Sequence, residues 1–359
     1  MKYIDEYRDK SLVLKLAEEI KRISKKEISL MEVCGGHTMS IQKFGIPTLL
    51  PANIRLISGP GCPVCVSSKL FIDKAIEYSK NKDVIITTFG DLIRVPGSSS
   101  SLEKEKANGA DIHIVYSPLT ALQLAEQNPD KKIIFLGIGF ETTSPGSAAT
   151  VIEAYKKNID NFFLFSAHKI MPPAMAALID EGVKLNGYIC PGHVSTITGS
   201  SIYEPIANNY KLSCVITGFE PVDILESIYM LVKQIENNVA KVEIQYKRVV
   251  KAEGNLKAQA VMNEVFDLQD DWWRGLGIIK NSGNKLKEKY KKHDAEYVMP
   301  LNIPEPKEPK GCLCGEILKG LKSPKECKLF GKACTPSEPI GACMVSSEGA
   351  CHANFKYNR

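Results

Sequence analysis

Eight short runs of β-forming residues divide residues 29–217, and each ends in a glycine- or proline-bearing turn. They are "SLMEV" before Cys34, "IRLIS" before Gly59, "DVIITT" before Phe89 and "IHIVYS" before Pro118. "KIIFLGI" before Gly139, "NFFLFS" before Ala167, "GYIC" before Pro191 and "CVIT" before Gly218 complete the series. Residues 10–23, "KSLVLKLAEEIKRI", and residues 68–80, 119–127, 147–157, 172–182 and 221–237 place apolar side chains at helical spacing. Short buried strands alternating with amphipathic helices predict an α/β chain with parallel sheets. Eight such strands could close one barrel, but two smaller doubly wound domains are the preferred reading. "LGIGFETTSP" (136–145) and "VITGFEPVD" (215–223) echo each other, which favours two similar units. In an open α/β sheet, ligands bind at the carboxyl ends of the strands.

The expected division is a helix over 1–28, α/β units over 29–117 and 118–240, and a cysteine-rich domain over 241–359. "GNLKAQAVMNEVF" predicts a helix, "DDWWRGLGII" a packed aromatic turn, and "MPLNIPEPKEPKGC" an extended proline-rich connector.

The chain has 359 residues, 44% hydrophobic and 24% charged, enough for a sizeable core. A net charge of +5 from 46 basic and 41 acidic residues is too balanced to suggest nucleic acid. The basic run "KLKEKYKKH" reads as a solvated helix face. No apolar run spans a bilayer, and the N-terminal "MKYIDEYRDK" is unlike a signal peptide, so a cytoplasmic protein is expected. Eleven cysteines in such a compartment point to metal or thiol redox chemistry rather than to a static disulfide framework.

Six of them, Cys312, Cys314, Cys327, Cys334, Cys343 and Cys351, fall in a tail with little apolar periodicity. A segment that poor in core residues needs a staple such as a metal. Their spacing matches neither a zinc ribbon nor a bacterial ferredoxin run. Four ligands to a 4Fe–4S cluster plus a dithiol pair is one reading; one structural zinc with two spare thiols is the other.

Cys34 follows a strand and precedes Gly35-Gly36-His37. Exposed amides and His37 are expected to lower its pKa and favour a thiolate, suited to nucleophilic attack or iron binding. Cys62 and Cys65 form a C-x-x-C with an internal proline, and no second such pair exists, which favours a dithiol/disulfide couple. Cys190 and Cys214 sit on apolar runs and read as core residues. Glu141 and His193 are weaker site candidates.

"CGGHT" from Cys34, "GPGCPVC" from Gly59, "GFETTSP" from Gly139, "PGHVSTITG" from Pro191 and the tail "CLCGEILKG…EC…LFG…CTP…GACMVSSEGAC" occur in one order. In these motifs and over nearly its whole length the chain resembles the HypD family of hydrogenase maturation factors. The resemblance implies two similar α/β domains plus a C-terminal iron–sulfur domain, with the N-terminal helix packed on the latter. It implies a scaffold, formed with the small partner HypC, on which the Fe(CN)2(CO) unit of NiFe-hydrogenases is assembled. Cyanide would come from HypE as a thiocyanate, and the hydrogenase large subunit would be served indirectly. Iron would be held between Cys34 and a cysteine of HypC. By similarity to ferredoxin:thioredoxin reductase, Cys312, Cys327, Cys334 and Cys351 would bind the cluster, with Cys314 and Cys343 as its neighbouring redox pair. With Cys62/Cys65 as a further station, and His37 orienting or protonating a ligand, the chain would be a redox-active assembly scaffold rather than a turnover enzyme. The rival reading is an iron–sulfur protein-disulfide reductase, which has no use for Cys34. A nucleotide-binding module would need a phosphate loop that the sequence lacks.

Overall fold

The computed structural model describes residues 4–358. All eight predicted strands form: β1 (Ile28–Glu32), β2 (Ile54–Ser58), β3 (Val84–Thr88), β4 (Ile112–Ile114), β5 (Lys132–Gly139), β6 (Phe162–His168), β7 (Gly187–Pro191) and β8 (Ser213–Thr217). A ninth, β9 (Val242–Ile244), was not expected; three residues with one charge carry too little pattern to be read. The sheets are β2-β1-β7-β8-β9 and β4-β3-β5-β6, parallel throughout.

Numbered within each sheet, the strand orders are 2-1-3-4-5 and 2-1-3-4, so the two α/β units share one doubly wound topology. They are not consecutive in the chain. The second sheet, β3–β6, is inserted between β2 and β7 of the first. The expected boundary at 117/118 therefore cuts the second sheet, and 118–240 mixes strands of both. Hydrophobic pattern reports that a strand is buried; it does not report which strand lies beside it. The Gly-Phe-Glu echo also marks no duplication, because β5 is third in its sheet's order and β8 fourth in the other.

Both faces of each sheet are covered. Along β5, Ile133 and Phe135 pack under the helices Pro118–Gln127 and Ser144–Lys157, while Ile134, Leu136 and Ile138 face the large central core. That alternation of buried side chains is why the strands read as continuous apolar runs.

The helix α1 (Lys10–Ile23) begins at Asp9, whose carboxylate accepts the Ser11 and Leu12 N–H groups. Ile20 is fully buried with Ile28, Leu30, Ile224, Leu225 and Ile228. α1 thus packs on helix Pro221–Glu236 and the first sheet, not on the cysteine-rich tail as expected. Its apolar stripe of Val13, Leu16, Ile20 and Ile23 finds the matching stripe on that helix.

Residues 266–286 also differ from expectation. Helix Leu256–Val265 leads into an antiparallel hairpin, β10 (Phe266–Trp273) and β11 (Gly277–Leu286). "DDWWRGLGII" is its tip rather than an isolated turn. The fully buried Lys169 binds Asp271 (2.6 Å) and the Trp272 carbonyl (2.7 Å), which ties the hairpin to the end of β6. No helix among the described residues is long and apolar enough to cross a membrane.

Candidate functional site

β1 ends at Glu32, and the chain turns at Cys34 into helix α2 (Gly35–Lys43). Cys34 is the N-cap residue, in extended backbone, and its carbonyl accepts the His37 backbone N–H at 2.9 Å. The place is the carboxyl end of β1, beside β7. Chain connections leave these two strands in opposite directions, which opens the crevice where such folds bind ligands.

The expected depression of the Cys34 pKa does not occur. Burial and the nearby Glu348 and Glu32 carboxyls push it up to about 12, against the opposing pull of the Gly36 and His37 N–H groups at the start of α2. A bound cation would reverse that balance. Glu32 is itself buried and pushed up to about 8 by desolvation. It accepts the Thr38 hydroxyl at 2.5 Å and the Cys34 N–H at 3.2 Å. Glu348 lies over Gly35. Burial, together with Asp91, raises its pKa as well.

His37 is fully buried. Its Nε2 lies 3.0 Å from the Gly218 carbonyl and 3.2 Å from that of Thr217, so Nε2 carries the proton. Nδ1 has no hydrogen-bond partner among the described residues. Burial pulls its pKa down to about 4, so the ring is neutral at pH 7. Phe219 is sandwiched between two imidazoles, 4.5 Å from His37 and 4.0 Å from His193. Glu141 is buried elsewhere: it accepts the Met171 N–H at 3.0 Å, and its second oxygen has no partner.

The Cys62–Cys65 turn lies against the Cys34 turn. Gly35 donates to the Gly61 carbonyl at 2.9 Å. A Cβ on Gly61 would stand 2.1 Å from the Cys34 nitrogen, so only glycine permits this approach. Cys62 and Cys65 are joined as a disulfide with their Cα atoms 5.2 Å apart. Both are buried, and Cys65 Sγ lies 4.0 Å from the Ala342 carbonyl, one residue before Cys343.

The tail lies across the carboxyl ends of both sheets. Arg94, just after β3, donates to the Val345 and Pro336 carbonyls, and Ser346 donates to Asp91 at 2.7 Å. The last helix, Ala350–Tyr357, packs on α2. Cys312, Cys314, Cys327, Cys334 and Cys351 line one small cavity with Ile317, Leu329, Phe330, Gly341 and Met344. Cys343 stands behind it, fully buried, within hydrogen-bonding reach of Cys314 and Cys351. A hydrogen bond with Cys314 holds the half-buried Cys312 down to about 6.

Over residues 11–358 the sequence matches the family described as HypD, hydrogenase formation hypA family. The chain belongs to the HypD family. It is 46% identical to the hydrogenase maturation factor HypD2 of Bradyrhizobium diazoefficiens, covering 100% of this chain and 97% of that protein. It is also 46% identical to the hydrogenase maturation factor HypD of Azotobacter vinelandii (100% and 97% covered), and 41% to that of Cupriavidus necator (100% and 98%).

The tail cavity suits the cluster that HypD membership suggests. Its wall offers soft thiol donors, apolar side chains and no charged side chain. The Ile340 N–H already points at Cys334 Sγ from 3.3 Å, the kind of amide–sulfur contact that tunes such groups. A Cβ on Gly341 would lie 2.5 Å from Cys314 Sγ and 2.7 Å from Cys312 Sγ, so glycine keeps the cavity open. Among the described residues, no three side chains of metal-binding type converge on a single ion position.

The structure thus gathers Cys34, His37, Cys62, Cys65 and the six tail cysteines into one continuous region. His193 joins it through Phe219, and Glu141 binds elsewhere. Cys190 and Cys214 are fully buried on β7 and β8, as core residues should be. Sequence reasoning missed Glu32, Phe219, Arg274 and Glu348. Only Glu32 carried a signal, as an acid inside an otherwise apolar strand.

Proposed function

We propose that this chain is the scaffold on which the Fe(CN)2(CO) unit of a NiFe-hydrogenase is assembled, jointly with the small protein HypC. The observation that carries this reading is the contact between three cysteine-bearing turns: Cys34 against Gly61, and Cys65 against Ala342. A plain disulfide reductase needs the last two; it has no use for a thiol at the switch point of the first sheet.

In this reading Fe(II) is cargo. The Cys34 thiolate and a HypC cysteine hold it, since thiolate is a good donor to that borderline ion. Cys34 stands at the start of α2, where the helix N-terminus favours the anionic sulfur. Neutral His37 can accept a proton at Nδ1 while its Nε2–H stays on the Gly218 carbonyl. Cyanide arrives as a thiocyanate on HypE. Its release takes two electrons and leaves a thiolate on the donor. A dithiol that closes to a disulfide supplies two electrons and releases two protons. In this reading Cys314/Cys343 and Cys62/Cys65 serve as successive stations. Cys312, Cys327, Cys334 and Cys351 would hold a 4Fe–4S cluster, which supplies electrons one at a time.

Infrared spectroscopy of the chain purified without oxygen, together with HypC and HypE, tests this. Cyanide and carbonyl stretching bands are expected in the wild type and absent from Cys34→Ala. Bands of full strength on Cys34→Ala would refute the role of Cys34.

A further inference from the structure

The hairpin tip, which the relay reading does not use, supplies a single arginine to the Cys62–Cys65 turn. Arg274 is buried, and all of its hydrogen bonds go to places that matter for that turn. Its backbone N–H donates to the Val66 carbonyl at 3.0 Å. Its Nε donates to the Cys65 carbonyl at 2.9 Å, and one terminal nitrogen donates to the Ser67 carbonyl at 3.0 Å. The other terminal nitrogen pairs with Glu308, on the connector that leads to Cys312. The next residue, Gly275, packs its backbone against that of Gly315, which follows Cys314. One side chain and its neighbour therefore touch the C-x-x-C turn and both approaches to the C-x-C.

A four-residue helix such as Pro63–Val66 has no length with which to hold itself, and its last carbonyls have no intrahelical partner. The guanidinium's rigid planar fork reaches the Cys65 carbonyl, the Ser67 carbonyl just after the helix, and Glu308 together, a fixed geometry that a lysine ammonium does not reproduce. The result is a turn whose two sulfurs are buried, with that of Cys65 lying against the tail at Ala342.

We propose that Arg274 is a positioning residue that seals the Cys62–Cys65 pair against the cysteine tail, so that the pair exchanges only with thiols of its own chain. In that exchange the Cys62–Cys65 disulfide opens to two thiols as Cys314 and Cys343 close to one; two electrons and two protons pass between them. The proposal rests on the relay reading for its purpose. The sealing itself is measurable without it.

The test follows the rate at which dithiothreitol opens the Cys62–Cys65 disulfide in the full-length, iron-loaded protein. Alkylation and mass spectrometry read the two thiols, and iron content and the thermal midpoint are recorded in parallel. Arg274→Gln should open at least tenfold faster than wild type, with iron content unchanged. Arg274→Lys, which keeps the charge but loses the fork, should also open faster. Glu308→Gln, which keeps the arginine but frees its far end, should speed opening by a smaller factor, and this variant decides the matter if Arg274→Gln does not fold. Equal opening rates in wild type and Glu308→Gln, or in wild type and a folded Arg274→Gln, would overturn the proposal. So would a rapidly opened wild-type pair. If the pair is sealed but Cys62→Ser still yields cyanide-ligated iron, the relay reading fails and the seal stands.

Discussion

At the residue scale, burial decides the chemistry more than charge pairing does. Cys34 caps the start of a helix, where nearby amides favour its anion, and its pKa is still pushed up to about 12. Desolvation of an anion outweighs a helix terminus, which contributes at most ~2 kcal/mol. The thiol therefore becomes a thiolate when a cation arrives, not before. Glu141 shows the same rule and gives a pH prediction. Burial lifts its carboxyl from the ordinary value of 4.5 to about 7. The folded state then holds a proton that the unfolded chain releases, so this group lowers stability as pH rises from 4.5 to 7, by roughly 3 kcal/mol at most. Glu141→Gln should raise the thermal midpoint at pH 8 and flatten its decline across that window. His37 acts in the opposite direction. Its folded value is about 4 against 6.5, so the unfolded chain binds the extra proton and stability falls as pH drops from 6.5 towards 4. Gly61→Ala tests the contact between the turns. With backbone 2.1 Å from the new Cβ, one turn must move, and iron-unit assembly should fall at least tenfold while tail iron is retained. Cys34 and the C-x-x-C could be read from the sequence because their residue types and spacing are distinctive. Glu348 and Arg274 could not, because an acid in a loop and a base in a hairpin tip carry no pattern; only the fold places them.

At the element scale, what the sequence revealed was the periodicity of individual strands and helices. Eight strands and the main helices matched because a buried strand and an amphipathic helix each print their own spacing. Neighbours were not legible. The insertion of β3–β6 inside the first sheet, and the docking of α1 on helix Pro221–Glu236, depend on long-range pairing. The α1 correction is testable. Ile20→Ala empties a fully buried site between α1 and the first sheet. Denaturant unfolding should show a loss of about 2–4 kcal/mol, with the tail's iron content unchanged. Loss of tail iron in that variant would restore the packing expected from the resemblance. Gly341→Ala should do the reverse, lowering bound iron with little change in the first sheet, because its Cβ meets Cys312 and Cys314.

At the scale of the whole molecule, the two sheets serve as a platform. Their carboxyl ends carry Cys34 on one side and Asp91 and Arg94 on the other, and the tail is held across both. The six thiols come from 40 residues of tail, but they are placed by contacts from residues as distant in sequence as Cys65, Arg94 and Gly275. That is how a segment with so little core of its own is ordered. The central claim is that cargo iron at Cys34 and a resident cluster in the tail occupy one relay. Mössbauer spectroscopy of protein labelled with iron-57 and purified without oxygen together with HypC and HypE tests it most directly. Two signals are expected: a 4Fe–4S doublet retained in Cys34→Ala, and a low-spin Fe(II) signal lost in that variant. A cluster doublet alone in the wild type, under conditions that yield active hydrogenase, would contradict the account.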